Sequence, residues 1–350
     1  MDKKLLITVK PELQAYLTKH GRKVQLPLQY RDLERFGASV ALLDNEDNDT
    51  LWQTVYYDEH ERDFIYDGLS NIYALLKMDG DLSATEHLEV ARIDYCLFGN
   101  TRPFRIRIIN RLNDNYDHFY VKRADANRVY GLELEELLSP NSVQYLLDGD
   151  TLIEEHIAGI PGDDFFADKL DDSVFNQIRM AKEFVKFNER CFVRLLGDMR
   201  AYNYVVDITP DIEGSQFRFR AIDFDQQSYE GRKSFYLPQY FKENNPIIFL
   251  GIEHMNDATV RQYQLEERSM IAARIKSNPR RLQELIDIMG RDAISKTDFI
   301  RQLAAELGQH HETENFTGLS TMGEVLREHL KLLLAKEFTQ SADFLESGNG

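Results

Sequence analysis

The sequence is poor in the residues that mark special chemistry or special compartments. It holds two cysteines, Cys96 and Cys191, in 350 residues. They lie far apart, each inside an apolar run, and so read as buried thiols rather than a disulfide framework. No CxxC, HExxH or other cysteine–histidine spacing is present, which argues against a structural zinc site. No apolar run reaches 18 residues, and the run at 5–9 ends at Lys10-Pro11, too short for a secretory signal. A cytoplasmic protein without a membrane segment is therefore expected. Basic residues are also in deficit: 42 Lys and Arg stand against 59 Asp and Glu, a formal net charge of −17. That balance disfavours a nucleic-acid binder, which needs a basic field to displace counterions. An anionic ligand must instead meet locally gathered cations, or a divalent metal held on some of the carboxylates.

What is present is an ordinary globular composition, 43% hydrophobic and 29% charged, in a chain long enough for more than one core. Residues 1–88 mix strand-like runs at 5–9 and 51–57 with a helix over 63–77, where Ile65, Leu69, Ile72, Leu75 and Leu76 recur at helical spacing. This part reads as an N-terminal extension or subdomain. Three β-like runs follow, at 91–97, 104–110 and 118–124. A helix over 126–138 and a hairpin at 143–147 and 151–157 come next. Beyond 158 the chain turns mainly helical. The spacing predicts an amphipathic helix over 172–192, its face including Val174, Phe175, Ile178 and Phe184, and later helices near 257–277, 280–289, 296–307 and 320–337. Ser295, three residues before Asp298, has the spacing of a helix cap. One hairpin, 202–208 and 216–224, interrupts the helices, and the last residues, 347–350, are expected to fray.

Chemistry-bearing residues fall at the joints of this order. The strand at 118–124 alternates Tyr120 and Lys122 on one face, and the next helix offers Glu133, Glu135 and Glu136. Between the amphipathic helix and the hairpin stands Leu196-Gly197-Asp198-Met199-Arg200-Ala201-Tyr202-Asn203, with Asp198 five residues ahead of Asn203. The hairpin runs out into Ile222-Asp223-Phe224-Asp225. This set, in this order, resembles the catalytic loop and the Asp-Phe-Gly strand end of protein kinases and aminoglycoside phosphotransferases, over roughly residues 90–240.

The resemblance implies an α+β, protein kinase-like bilobal fold. An antiparallel-sheet N-lobe (89–157) and a mainly helical C-lobe (158–346) would follow the N-terminal extension (1–88). It also implies an ATP- and Mg-dependent kinase, since phosphoryl transfer asks the protein chiefly to hold phosphates, neutralise charge and position the acceptor. Lys122 would reach the nucleotide's phosphates, paired with Glu133 or, second, Glu135. Asp198 would orient the acceptor hydroxyl and Arg200 would face the transferred phosphate. Asn203 and Asp223 would hold magnesium. Main-chain groups of Glu155 and Ile157 would meet the adenine edge, and the turn at Gly99 would cover the phosphates.

The chain departs from the family in three places. Leu196 replaces a histidine, Asp225 replaces the glycine of Asp-Phe-Gly, and no GxGxxG is present. Nucleotidyl transfer on the same fold, and a pseudokinase that binds nucleotide without turnover, are the rival readings. The hydroxyl acceptor and the oligomeric state are not legible, and the aromatics of 228–245 suit either substrate gating or packing.

Overall fold

The computed structural model describes residues 4–44, 46–78, 80–170, 176–212 and 214–335. They form two compact units: one from Met1–Ala126 with Val143–His156, the other from Asn127–Ser142 with Ile157–Gly350. The architecture is α+β, with an antiparallel sheet in the N-terminal region and helices through the C-terminal half. Among the described residues no helix is long and apolar enough to cross a membrane.

The first unit contains α1 (Pro11–Lys19), α2 (Tyr30–Leu33), β1 (Ala38–Leu43), β2 (Asp49–Tyr56), α3 (Glu59–Lys77), β3 (Leu88–Cys96), β4 (Phe104–Asn110), β5 (Asn115–Arg123), β6 (Tyr145–Asp148) and β7 (Thr151–Glu155). The strands make one seven-stranded sheet in the order β1-β2-β3-β4-β5-β7-β6. Alternate residues of one sheet face, among them Val90, Ile106, Phe119, Val121 and Ile153, bury with Ile65, Leu69, Ile72 and Leu76 of α3 in a common core. Their periods of two and of three to four residues are what such a layer requires. The opposite face carries Lys122.

Residues 1–88 thus do not stand apart as an extension. β2 pairs with β3 through Trp52–Cys96, Gln53–Tyr95 and Thr54–Asp94, and residues 22–24 bond along β6. Residues 5–9 form no strand. Ile7 donates its N–H to Asp125 Oδ1 at 2.7 Å and accepts from Ala126 N at 2.8 Å, so that segment's polar groups are met at the start of a helix, not by a neighbouring strand.

The second unit begins with α4 (Ala126–Leu138) and continues through β8 (Ile160–Pro161), α5 (Gly162–Asp168), α6 (Gln177–Arg194), β9 (Tyr204–Asp211), β10 (Gly214–Ala221), α7 (Asn245–His254), α8 (Asp257–Ser277), α9 (Pro279–Met289), α10 (Thr297–His311) and α11 (Met322–Leu334). β9 pairs with both β10 and β8. An aromatic cluster of Phe184, Phe187, Tyr204 and Phe219 fixes α6 against the hairpin, with ring centroids 5.0 to 6.4 Å apart.

α6 starts later than its apolar pattern suggests, because Asn176 caps it by accepting the Arg179 N–H at 3.0 Å. Val174 and Phe175 lie outside the described residues, as does the tail at 347–350. α7 was not expected. Its Asn-Pro-Ile-Ile-Phe-Leu start is apolar on every side and gives no period to read. Ser295 caps nothing: its hydroxyl donates to the Tyr229 carbonyl, and Lys296 stands at the helix start.

Candidate active site

The residues singled out by the sequence lie in both units. In the sheet unit, Lys122 sits on β5 and is 7% exposed. Its Nζ donates to Glu154 Oε2 at 2.8 Å and stands 5.1 Å from the centre of the Tyr120 ring. The antiparallel ladder explains the pair: Tyr120 faces Glu154 and Lys122 faces Leu152, so lysine and glutamate are diagonal neighbours on one face.

Expectation placed the lysine's carboxylate on the following helix. Of the helix glutamates, Glu133 accepts from Arg281 at 2.8 Å, and Glu135 is ion-paired with Arg194. α4 is fastened within the helical unit by these contacts and by Tyr130, whose hydroxyl donates to Asp292. Glu154, a strand residue, is a partner of Lys122 at a position whose role alternation can show only once the pairing of β5 with β7 is known.

Glu155, expected to meet the adenine edge, is bonded within the β6–β7 hairpin region. Its N–H donates to the Gln144 carbonyl at 2.9 Å, and its carboxylate takes Lys77 and the Gln144 N–H, so the donor on this residue is committed to the hairpin. Ile157 is buried at the start of the second unit's long segment. The Gly99 turn is closed by the Arg102 N–H bonding to the Gly99 carbonyl at 3.1 Å. The Thr101 carbonyl reaches the N–H of Arg123, next to Lys122, at 3.5 Å. The turn is thus tied to the lysine end of β5.

In the helical unit, the open end of the β9–β10 hairpin gathers four of the named residues. Tyr204 pairs with Ala221, and one step further out the Asn203 carbonyl accepts the Ile222 N–H at 3.0 Å. Asn203 and Asp223 consequently leave the hairpin side by side. Asn203 Nδ2 donates to the Asp198 carbonyl at 2.7 Å, which fixes the amide and turns Oδ1 away from the loop. Asp198 itself has φ +60°, a left-handed conformation rare for a residue with a side chain and characteristic of over-determined functional loops. The loop is held in that shape from two sides. Gly197 and Asp198 donate their N–H groups to the carbonyls of Gln226 and Phe235, at 3.3 and 3.1 Å. The buried Gln227 amide donates to the carbonyls of Arg194 and Leu195, at 2.5 and 3.2 Å.

Carboxylates outnumber the cations that meet them at this end. Arg200 donates to Asp198 Oδ1 and to Glu243 Oε1, each at 2.9 Å, with its guanidinium 5.0 Å from the centre of the Phe241 ring. Its charge is therefore shared between two carboxylates. Asp198 is raised above the usual carboxylate range, first by burial, with Arg200 opposing the rise and Glu243 adding to it.

No family model matches the chain, and no curated protein matches it.

Sequence reasoning missed one side chain of consequence. Arg128, 2% exposed, extends from α4 and donates from Nη1 to Asp223 Oδ1 and Asp225 Oδ1, both at 2.9 Å, and from Nη2 to the Ile222 carbonyl at 3.1 Å. Asp223 Oδ1 accepts the Asp225 N–H as well, at 3.0 Å. Asp225 is thus the second arm of an arginine clamp. Nothing in the local sequence announces a contact spanning some 95 positions.

Asn203 Oδ1 and the Asp223 carboxylate are hard oxygen donors, the type that magnesium takes. Two such ligands suit an ion that draws the rest of its shell from water and phosphate. Among the described residues, no group of three or more His, Cys, Asp or Glu is arranged to hold a metal by protein ligands alone.

Proposed function

We propose that the chain is an ATP- and magnesium-dependent phosphotransferase acting on a hydroxyl acceptor. The observation that carries this reading is the joint fixation of Asp198, Asn203 and Asp223. One backbone bond, Asn203 O to Ile222 N, and one side-chain bond, Asn203 Nδ2 to Asp198 O, hold a general base next to two oxygen ligands at the end of a single hairpin. Asp198, raised by burial, accepts the acceptor's proton as the hydroxyl attacks. Asn203 and Asp223 hold magnesium, which neutralises charge on the phosphates when bound. Lys122, oriented by Glu154, supplies the ammonium for the nucleotide's phosphates. Arg200 acts through Asp198, as a positioning residue.

The test is ATP consumption with magnesium, with product identified by intact mass. Lys122→Ala, Asp198→Asn and Asp223→Asn should each lower turnover by at least 100-fold, on the order of 3 kcal/mol in the barrier. Wild-type rates in any of the three would overturn the assignment.

A second reading, a nucleotide-binding module without turnover, is favoured by one observation: the Arg128 guanidinium already bonds both Asp223 and Asp225. A thermal shift with ATP that needs no magnesium, together with absent ATP consumption, would select it.

A further inference from the structure

The sheet face that carries Lys122 holds a second, separate concentration of cations. Register places Arg92 of β3 opposite Arg107 of β4, and Arg107 opposite His118 of β5. His156 continues the row: its N–H donates to the His118 carbonyl at 3.2 Å, and the two rings lie 5.6 Å apart. Four nitrogen-bearing side chains thus stand in line across the sheet of a chain whose net charge is −17. Like charges directly opposite on neighbouring strands repel, so the row needs compensation.

Part of it is visible. Asp94, 1% exposed, takes Arg92 at 3.0 Å and Arg105 at 2.9 Å, with Thr54 donating as well. Arg107 is different. Among the described residues it has no carboxylate partner, its Nε is buried without a hydrogen bond, and its guanidinium lies 4.1 Å from the centre of the Tyr116 ring. Beside it, His118 is held down to about 4 by burial and by Arg105, His156 and Arg107, against which Asp117 alone pulls upward. A stacked guanidinium with an unspent donor, next to an imidazole that its neighbours keep neutral, is a half-made oxyanion site.

We propose that the Arg107–His118–His156 row binds a phosphate-type oxyanion. The Arg107 fork supplies paired donors, and the imidazoles supply further donors once the anion's charge offsets the arginines. The site does not rest on the phosphotransferase reading. Lys122 lies four residues beyond His118 on β5, roughly 13 Å away.

The probe is inorganic pyrophosphate, titrated calorimetrically into the full chain at constant ionic strength and without metal. Saturable binding is expected, weakened at least tenfold in Arg107→Gln. It should be unchanged in Arg111→Gln, which removes an exposed arginine paired with Glu89 instead. Bound pyrophosphate should also raise the His118 titration midpoint from about 4, followed by NMR, and Arg107→Gln with its circular dichroism unchanged should abolish that ligand-dependent rise. Arg107→Lys, which keeps the charge but not the fork, separates a folding defect from a lost ligand and should retain part of the affinity. A parallel titration with AMP distinguishes sources: binding equal to that of pyrophosphate assigns the row to free phosphates, tighter binding to a nucleotide's phosphate beside Tyr116. No saturable binding, equal weakening in Arg111→Gln, or loss through Lys122→Ala rather than Arg107→Gln would each overturn the proposal.

Discussion

Asp198 is the residue whose surroundings say most about its chemistry. Burial raises its carboxyl, Arg200 opposes the rise, and Glu243 favours it while also sharing the Arg200 guanidinium. Removing Arg200 deletes the opposing influence. In Arg200→Met, Asp198 should hold its proton to higher pH, so the acidic limb of the pH–rate profile moves upward while its alkaline limb stays. An acidic limb that stays put would show that Asp198 is not the base. Lys122 admits a test that needs no turnover. Its ammonium and the Glu154 carboxylate are both buried and 2.8 Å apart. Glu154→Gln removes one charge of this buried, charge-assisted bond and should cost about 3 kcal/mol in chemical denaturation. Lys122→Met combined with Glu154→Gln should cost less than the sum of the two single changes, because the two side chains share that bond.

At the scale of elements, the Asp198 loop keeps its shape because neighbouring segments leave it no alternative. α6 ends at Leu195 with φ +54°, and the chain passes so close to Phe235 that a Cβ at Gly197 would lie 2.7 Å from that ring. Gly197→Ala should therefore lower stability by about 1 to 3 kcal/mol, read as a shift in the urea midpoint. The loss should shrink when Phe235→Leu is added. This glycine was legible as a motif feature, while its physical reason is a contact with a ring 38 positions on. The same contrast runs through the site. Element order, the hairpin and the step from Asp198 to Asn203 could be read because they are local: alternation, periodicity and turn residues act over a few positions. Glu154 on Lys122, Arg128 on Asp223 and Glu243 on Arg200 could not, because each joins elements that no local period connects. The pairing of β2 with β3 was hidden for a related reason, since membership in a sheet is decided by edge pairing with a strand from elsewhere in the chain.

Across the whole molecule, histidine protonation is the most general consequence. His118, His156, His310, His311 and His329 are all shifted below the ordinary histidine value, in each case first by burial, and His118 and His311 reach about 4. In the helical unit two of them, His311 and His329, are joined by a hydrogen bond. His329, wholly buried, bonds the Phe192 carbonyl through Nε2 at 3.0 Å, so its Nδ1 accepts from His311 Nε2 at 3.0 Å. Protonating His329 would place a second proton on that accepting atom. The folded chain keeps these rings neutral while the unfolded chain charges them near pH ~6.5, so stability is fully present above that pH. It is lost as pH falls from ~6.5 toward the folded values. Asp164, Glu183, Glu189 and Asp198 are raised by burial and act with the opposite sign, binding protons in the fold and offsetting part of the loss in the lower half of the window. The upper half, from ~6.5 to ~5.5, belongs to the histidines. Trp52, the chain's single tryptophan, lies in the sheet unit, so its fluorescence follows that unit while helical circular dichroism follows chiefly the other. In His329→Gln, the fall of helical stability with pH should be shallower by up to about 1.4 kcal/mol per pH unit, with the tryptophan-detected slope retained. An unchanged slope by circular dichroism would mean that His329 is already protonated in the fold, and that its bond to His311 is not the neutral one the geometry requires.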